Sequence, residues 1–468
     1  MRTGQASIGV VRDAETATPE EILPQDLRDD LARIGQTDVL VGIPCFNSAR
    51  TVGHVVTAVE VGLRKFFPDL RATVLISDGG SSDGTIASAL EMRVDENAAA
   101  YLVDPSTRPP TKLALTYRGI PGKGSAFRAI FEAARRVGAT ACAVVDSDLR
   151  SITPSWLDRL ISPVSRHGFD FVAPMYARHK FDGTITNSIA YPVTTALYGT
   201  RLRQPIGGDF GFSGELAARY AAKDVWETDV ARFGVDIWMT TVAVVEGHRV
   251  CQASLGAKLH DPKDPGQDLG PMFRQVVGSL FALAGEYRDQ WAAADGVVDP
   301  PTFGLRAAFS VEPVNVSLTR LTWKFVEGFV RYEDTWRDVL SEDTMSAVVT
   351  SIKEASERQE GFHLSAEVWI RIVYEFLLAY HRRRLDPELI LDSLIPLYFA
   401  RTASYVQDVD DLTNEEAEGA VDALVDLAMR FKPELDRGWK EELVPQRRLA
   451  DQPVGEGRPV EELAPDAV

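Results

Sequence analysis

Long apolar runs are missing from this 468-residue chain. None approaches the ~20 residues that a membrane-spanning helix needs, so no stable membrane insertion is expected. The polar, mixed-charge N-terminus shows no signal-peptide pattern. An excess of basic charge is missing too: 50 Lys and Arg face 68 Asp and Glu, a formal net charge of −18. A general nucleic-acid binder would carry a basic footprint, so nucleic acid is not an expected partner. Cysteine is scarce. Cys45, Cys142 and Cys251 lie far apart and lack zinc-ligand spacing. Cys142 and Cys251 sit in apolar runs and read as small buried thiols in a reducing cytoplasm. No internal repeat is present. No glycine- and base-rich triphosphate loop follows the first apolar run, which argues against a nucleotidyltransferase.

What remains is an ordinary globular composition, 45% hydrophobic and 25% charged, with length for two or three domains. Residues 1–37 read as an N-terminal extension, polar to residue 17. A helix then starts at Thr18-Pro19-Glu20-Glu21 and ends near Ile34. Strands are expected over residues 38–44, 72–77, 113–117, 142–146, 169–174 and 249–255. Helices are expected between them, over 51–66, 125–137, 156–166, 187–202, 215–222 and 236–246. Strands alternating with helices imply βαβ units and an α/β fold with a mostly parallel, Rossmann-like sheet over residues 38–271. From residue 272 to 445 the apolar period is helical, for example Val368, Ile372, Phe376 and Ala379. Trp323, Phe325 and Phe329 are expected in the core of this helical domain. Residues 446–468, rich in Pro, Glu and Arg, read as a disordered tail.

The stretch Cys142-Ala-Val-Val-Asp146-Ser147-Asp148 organises the chemistry. It reads as a buried strand ending in two aspartates on one side, at the carboxyl edge where open α/β sheets bind ligands. Two carboxylates there repel unless a cation lies between them, and hard oxygens suit Mg²⁺ or Mn²⁺. Three more strand-to-helix segments point to the same edge: Pro44-x-x-Asn47, Asp78-Gly-Gly-Ser81-Ser-Asp83 and Gly122-Lys123-Gly124. The first two can frame a base and ribose, with Asp78 as acceptor. Lys123 at a helix start suits a phosphate. Each segment alone has a structural alternative as a turn or a cap.

Taken together, with Gln204-Pro-Ile-Gly207-Gly208-Asp209, Gly234-Val-Asp236 and the late His260, the segments resemble GT-A-type retaining glycosyltransferases. The nearer group is the mannosylglycerate, glucosylglycerate and glucosyl-3-phosphoglycerate synthases, over roughly residues 38–290. The resemblance implies a cytoplasmic hexosyltransferase whose product is a compatible solute. Its donor would be a GDP- or UDP-hexose bound with a divalent metal. Asp148 and His260 would be metal ligands, supported by Asp146. Pro44, Asn47, Asp78, Ser81, Lys123, Asp146 and Ser147 would hold the nucleotide sugar. Thr186, Asn187, Gly207, Gly208, Asp209 and Asp236 would line a small carboxylate acceptor, with Lys123, Asp209 and Asp236 nearest the chemistry. The phosphoglycerate-using relatives carry an arginine in the acceptor loop. Residues 183–187 here have none, although Arg178 and Lys180 precede them. The expectation is therefore transfer to the 2-hydroxyl of D-glycerate. The alternatives are 3-phosphoglycerate, a lipid phosphate or a polysaccharide. The helical C-terminal region suits a homodimer.

Overall fold

The computed structural model describes residues 22–92, 103–104, 106–259, 269–305, 311–358 and 361–443. Eight strands form one sheet: β1 Val39–Cys45, β2 Ala72–Asp78, β3 Thr111–Thr116, β4 Ala141–Val144, β5 Phe171–Ala177, β6 Phe210–Ser213, β7 Val250–Ala257 and β8 Thr302–Phe303. Their order is β3-β2-β1-β4-β6-β5-β7-β8. β6 is antiparallel to both β4 and β5, and the other pairings are parallel. The mostly parallel α/β sheet expected from the sequence is present, followed by a mainly helical region.

Alternation along the strands sorts the core onto two faces. Val39, Val41, Ile43, Val74, Ile76, Ala141 and Ala143 face helices Val52–Phe66 and Ser155–His167. Leu40, Leu75, Leu113, Cys142 and Val144 face the other way, towards helix Lys123–Arg136. Gly42 of β1 brings that helix close, since a Cβ there would lie 2.5 Å from the Ile130 side chain. All three cysteines are buried and free.

Two departures from expectation matter for the site. β6, Phe210–Ser213, falls where no strand is expected from the sequence. It has four residues and a glycine, too few for a period-2 pattern to register. Gly211 lets it lie under helix Ser155–His167, where a Cβ would sit 2.0 Å from the Leu160 carbonyl. Because β6 runs antiparallel with Val144 opposite Phe210, the residue before it, Asp209, arrives at the carboxyl edge beside Asp146. The helix expected over 187–202 is instead a π-helical turn, Thr186–Ala190, continuing as an α-helix, Tyr191–Tyr198, that ends at left-handed Gly199. Pro192 has no N–H to give to the carbonyl four residues back. That carbonyl, of Ser188, accepts the Trp369 indole N–H at 2.8 Å instead.

Helices Leu269–Glu286, Leu318–Val339, Ala366–Arg382, Pro387–Val409 and Asn414–Leu443 continue the second face in one contiguous core, with Phe273, Phe325, Trp369 and Tyr398 inside it. Trp323 corrects the sequence expectation, being 60% exposed. Its helix buries Leu321, Phe325, Gly328, Tyr332 and Trp336. Two residues from Leu321 is more than half a turn away, on the outer face. Phe325 is buried and Phe329 partly so. The N-terminal helix is described from Gln25 to Ile34. Its expected start at Thr18–Glu21, and the tail at 446–468, lie outside the described residues.

Candidate active site

The carboxyl ends of β1 and β2 carry loops that tie each other down. Asn47 is left-handed, with φ 49°. Its N–H donates to the Ser81 hydroxyl at 2.8 Å, and its side-chain carbonyl accepts from the Ser82 N–H at 3.1 Å. Asp78 is fully buried. Its carboxylate accepts the N–H groups of Gly80 and Ser81 at 2.8 Å and the Ser81 hydroxyl at 2.5 Å. Its described partners therefore come from its own turn. Ser147 is tied in likewise, by hydroxyl contact with Ser48 at 2.9 Å and through its carbonyl, which accepts from Thr51 at 2.8 Å. Pro44 lies buried within β1. Phe46, which drew no attention in the sequence, stands 64% exposed at this rim. A Cβ on Gly79 would lie 3.2 Å from its ring and 3.0 Å from the Tyr117 hydroxyl. An aromatic face beside a glycine turn is suited to stacking on a flat ring.

Next along the edge, past the end of β4, five charged groups meet. The strand stops at Val144, so Asp146 projects from the turn. The two oxygens of its carboxylate take different ammoniums, Lys123 at 2.9 Å and Lys258 at 2.8 Å. Lys258 also reaches Asp209 at 2.8 Å and the Gly207 carbonyl at 2.8 Å. The Asp146 N–H donates to Asp209 at 2.8 Å. The Tyr176 hydroxyl donates to Asp209 and contacts the Gly207 carbonyl. Lys123 continues to Asp236 at 3.3 Å. Three carboxylates are thus held by two ammoniums. Sequence reasoning passed over Lys258 and Tyr176. Period-2 alternation past Ala257 was the only signal available for Lys258.

Burial raises Asp209 and Asp236 above the ordinary carboxylate value, aided by the neighbouring Asp146. Burial would lift Asp146 as well, but Lys123 and Lys258 outweigh it and hold Asp146 well below that range. For both lysines burial pulls downward, and the carboxylates more than reverse it. One atom is left over: Asp236 Oδ1 is buried and has no hydrogen-bond partner among the described residues. An orphaned acceptor beside an ammonium is a place for a ligand hydroxyl.

The glycines are explained by close approach. Gly208 has φ +86°, and a Cβ there would lie 2.1 Å from Asp146 Oδ2. Gly207 packs on Pro174. A Cβ on Gly122 or Gly124 would meet the backbone of Val230–Arg232 at 1.8–2.8 Å. The Gly124 N–H donates to the Arg232 carbonyl at 3.0 Å. The Gly-Lys-Gly segment is therefore bare so that this turn can lie on it, and it directs Lys123 into the carboxylates.

Asp148 is half-buried and makes no hydrogen bond or ion pair with any described residue. That makes it the uncommitted carboxylate of the Asp-x-Asp pair, with donor chemistry suited to Mg²⁺ or Mn²⁺. His260 lies outside the described residues. Among the described residues no group of three His, Cys, Asp or Glu is placed to hold a metal. Asp148 offers one hard oxygen donor of the kind a divalent cation takes.

The segment after β5 forms the outer wall. Thr184, Thr186 and Asn187 are buried. The Asn187 amide donates to the Asp182 carbonyl at 3.1 Å and accepts from Arg203 at 2.9 Å. Thr184 meets the Tyr398 hydroxyl.

Fold and site define an open-sheet α/β protein with an acid–lysine cluster at the strand carboxyl ends. The chain matches no protein-family model and no curated protein. Solved structures similar to it include glucosyl-3-phosphoglycerate synthase from Mycobacterium tuberculosis with Mg²⁺ and UDP, at 24% identity over 55% of this chain and 83% of that one, TM-score 0.39. The same enzyme with Mn²⁺, UDP-glucose and phosphoglyceric acid matches at 22% identity over 55% and 83%, TM-score 0.39. A mycobacterial protein matches at 24% over 55% and 78%, TM-score 0.38. Likeness of this size does not carry a function, which has to rest on the residues themselves.

Proposed function

We propose that this protein is a metal-dependent retaining hexosyltransferase of the GT-A type. It moves glucose or mannose from a UDP- or GDP-linked donor to the 2-hydroxyl of D-glycerate. The observation that carries this reading is the orphaned Asp236 oxygen, buried beside Lys123 and Asp146 with uncommitted Asp148 on the same edge. It is supported by the resemblance of the Asp-x-Asp, Gly-Gly-Asp and Gly-x-Asp segments to that group.

When bound, a divalent cation would neutralise the leaving diphosphate as a Lewis acid. Asp148 would hold it, with His260 as the second protein ligand. Lys123 stays protonated, because Asp146 and Asp236 reverse the effect of its burial, and it faces negative charge that develops on the leaving group. Asp236 accepts a hydroxyl proton through Oδ1 and so orients sugar or acceptor. Asp146, Asp209, Lys258 and Tyr176 fix the geometry of that pair. Phe46 and the Gly79 turn give the base a flat seat.

The test is product formation from UDP- and GDP-linked glucose and mannose with Mn²⁺ or Mg²⁺, against D-glycerate and 3-phosphoglycerate. Transfer to either acceptor that is lost in Asp148→Ala supports the reading. Full metal-dependent transfer in Asp148→Ala would remove the site assignment.

A further inference from the structure

Helix Leu318–Val339 carries an apolar stripe that its own fold leaves uncovered. Its inner face is taken up by the core: Leu321, Phe325, Gly328, Tyr332 and Trp336 are buried, and the helix packs on Glu342–Arg358 and Pro387–Val409. On the outer face Trp323 is 60% and Val330 80% exposed. Val326, between them in sequence, is only partly buried. The steps from 323 to 326 to 330 are the three-then-four spacing that seams two helices together. A Trp and a Val facing water gain nothing from burial, and Val is a weaker helix former than Leu, Lys or Glu. Scattered single apolar residues are ordinary on a surface; a seam of three on one helix is a contact face.

The charges beside the seam point to the partner. Arg320, Glu327, Arg331 and Asp338 follow one another along the same outer face, all exposed. Glu327 and Arg331 are one helical turn apart, yet neither of them nor Asp338 forms an ion pair with a described residue. The order is plus, minus, plus, minus, which is its own complement when reversed. Two copies of the helix laid antiparallel about a two-fold axis at Phe329 set Glu327 opposite Arg331 and Arg320 opposite Asp338, each pair twice. Val330 then meets its own symmetry mate, and Trp323 falls beside the second copy's Arg337, a cation for its ring. A parallel pairing would set Glu327 on Glu327 and Arg331 on Arg331.

We propose that this outer face is a homodimer interface, in which two copies of helix Leu318–Val339 pack antiparallel through Trp323 and Val330. The contact does not depend on the transferase reading. A helix of 22 residues is about 33 Å long and ~10–12 Å wide. One helix pair therefore covers less than the roughly 800 Å² per partner of a standard stable interface. The dimer is accordingly weak, with a dissociation constant in the micromolar range.

Sedimentation velocity on the full-length protein, between about 1 and 200 µM, reads the association directly. The wild type should pass from monomer to dimer across that range. Trp323→Ala should raise the dissociation constant at least about tenfold, as truncating a central interface Trp does. Glu327→Arg should weaken the dimer as well, by setting like charge against Arg331. The double variant Glu327→Arg/Arg331→Glu should recover the wild-type constant, because that swap is complementary only in the antiparallel arrangement. These side chains are exposed in the single chain, so each variant should keep the wild-type thermal midpoint measured at low micromolar concentration.

The proposal is overturned if the wild type remains a monomer at the highest concentration, or if Trp323→Ala dimerises like the wild type. It is equally overturned if the double variant associates no better than Glu327→Arg. A wild-type monomer that sediments with phosphatidylglycerol vesicles, and no longer does so as Trp323→Ala, would give the face to a lipid surface instead of a second copy.

Discussion

The residues of the cluster differ in how they should respond to change. Lys258 is buried and bridges two carboxylates. Lys258→Met would leave Asp146 and Asp209 facing each other, a loss of roughly 3–5 kcal/mol, since an uncompensated buried charge is left behind. Chemical denaturation checks this, and an unchanged midpoint would contradict it. Asp148 has no described partner, so Asp148→Ala should unfold like the wild type and bind Mn²⁺ far more weakly, read by titration calorimetry. Asp236 has the opposite thermodynamics to Asp146. Burial raises its pKa above the ordinary 3.8, so its ionised form opposes folding at neutral pH. Asp236→Asn should therefore not lower thermal stability at pH 7, while transfer falls sharply. The Asp146 carboxylate is held low by Lys123 and Lys258, so the stability it contributes is present above 3.8 and lost as pH falls. Legibility followed local context here. Asp146, Asp148 and Lys123 stood out because turn and acidic signals surround them, and Asp236 through the family resemblance alone. Lys258 and Tyr176 did not, since one residue of a strand looks like another until the neighbouring strand is known. Asp209 was legible as a polar residue, but its burial depended on β6.

At the scale of elements, close approach governs the site. Gly208→Ala would force both a left-handed Cβ and a collision with Asp146 Oδ2 at 2.1 Å. It should displace Asp146 from Lys123 and reduce transfer by at least about tenfold, beyond the ~1–3 kcal/mol such strain costs. Wild-type kcat/KM in that variant would contradict the packing. The hydrophobic period made the parallel strands and most helices readable. β6 was too short to register, and the π-turn at Thr186–Ala190 depended on a distant indole. Trp369 reaches the Ser188 carbonyl across 181 residues of sequence, which no local pattern encodes. A π-turn inside a helix often marks a functional position, and here it carries Thr186 and Asn187.

Across the whole molecule, the helical region is the outer support of that wall. Lys180 closes the end of helix Pro387–Val409, Tyr398 meets Thr184, and Glu418 holds Arg203 at 2.7 Å, which in turn holds Asn187. The core is continuous from the sheet into these helices. Lys180→Met should loosen this fastening by about 1.5–3 kcal/mol, the worth of a charged hydrogen-bond set. It should raise acceptor KM more than donor KM, because the loops of β1 and β2, which hold the donor in the proposed function, do not touch it. Equal changes in both would contradict the division. The sequence showed that a helical region exists. Which wall it supports was set by side chains from four separate segments.

The pH profile joins these scales and tests the account most directly. In the proposed reaction Asp236 has to be ionised to accept a proton through Oδ1, and burial raises its pKa above the ordinary 3.8. Hexose transfer to D-glycerate or 3-phosphoglycerate, followed as kcat/KM against pH with saturating Mn²⁺, should fall on the acid side through a value clearly above 3.8. That limb should vanish with the residual activity of Asp236→Asn. An acid limb at or below 3.8, or the same limb in the variant, would contradict Asp236 as the proton-accepting residue of a transferase site.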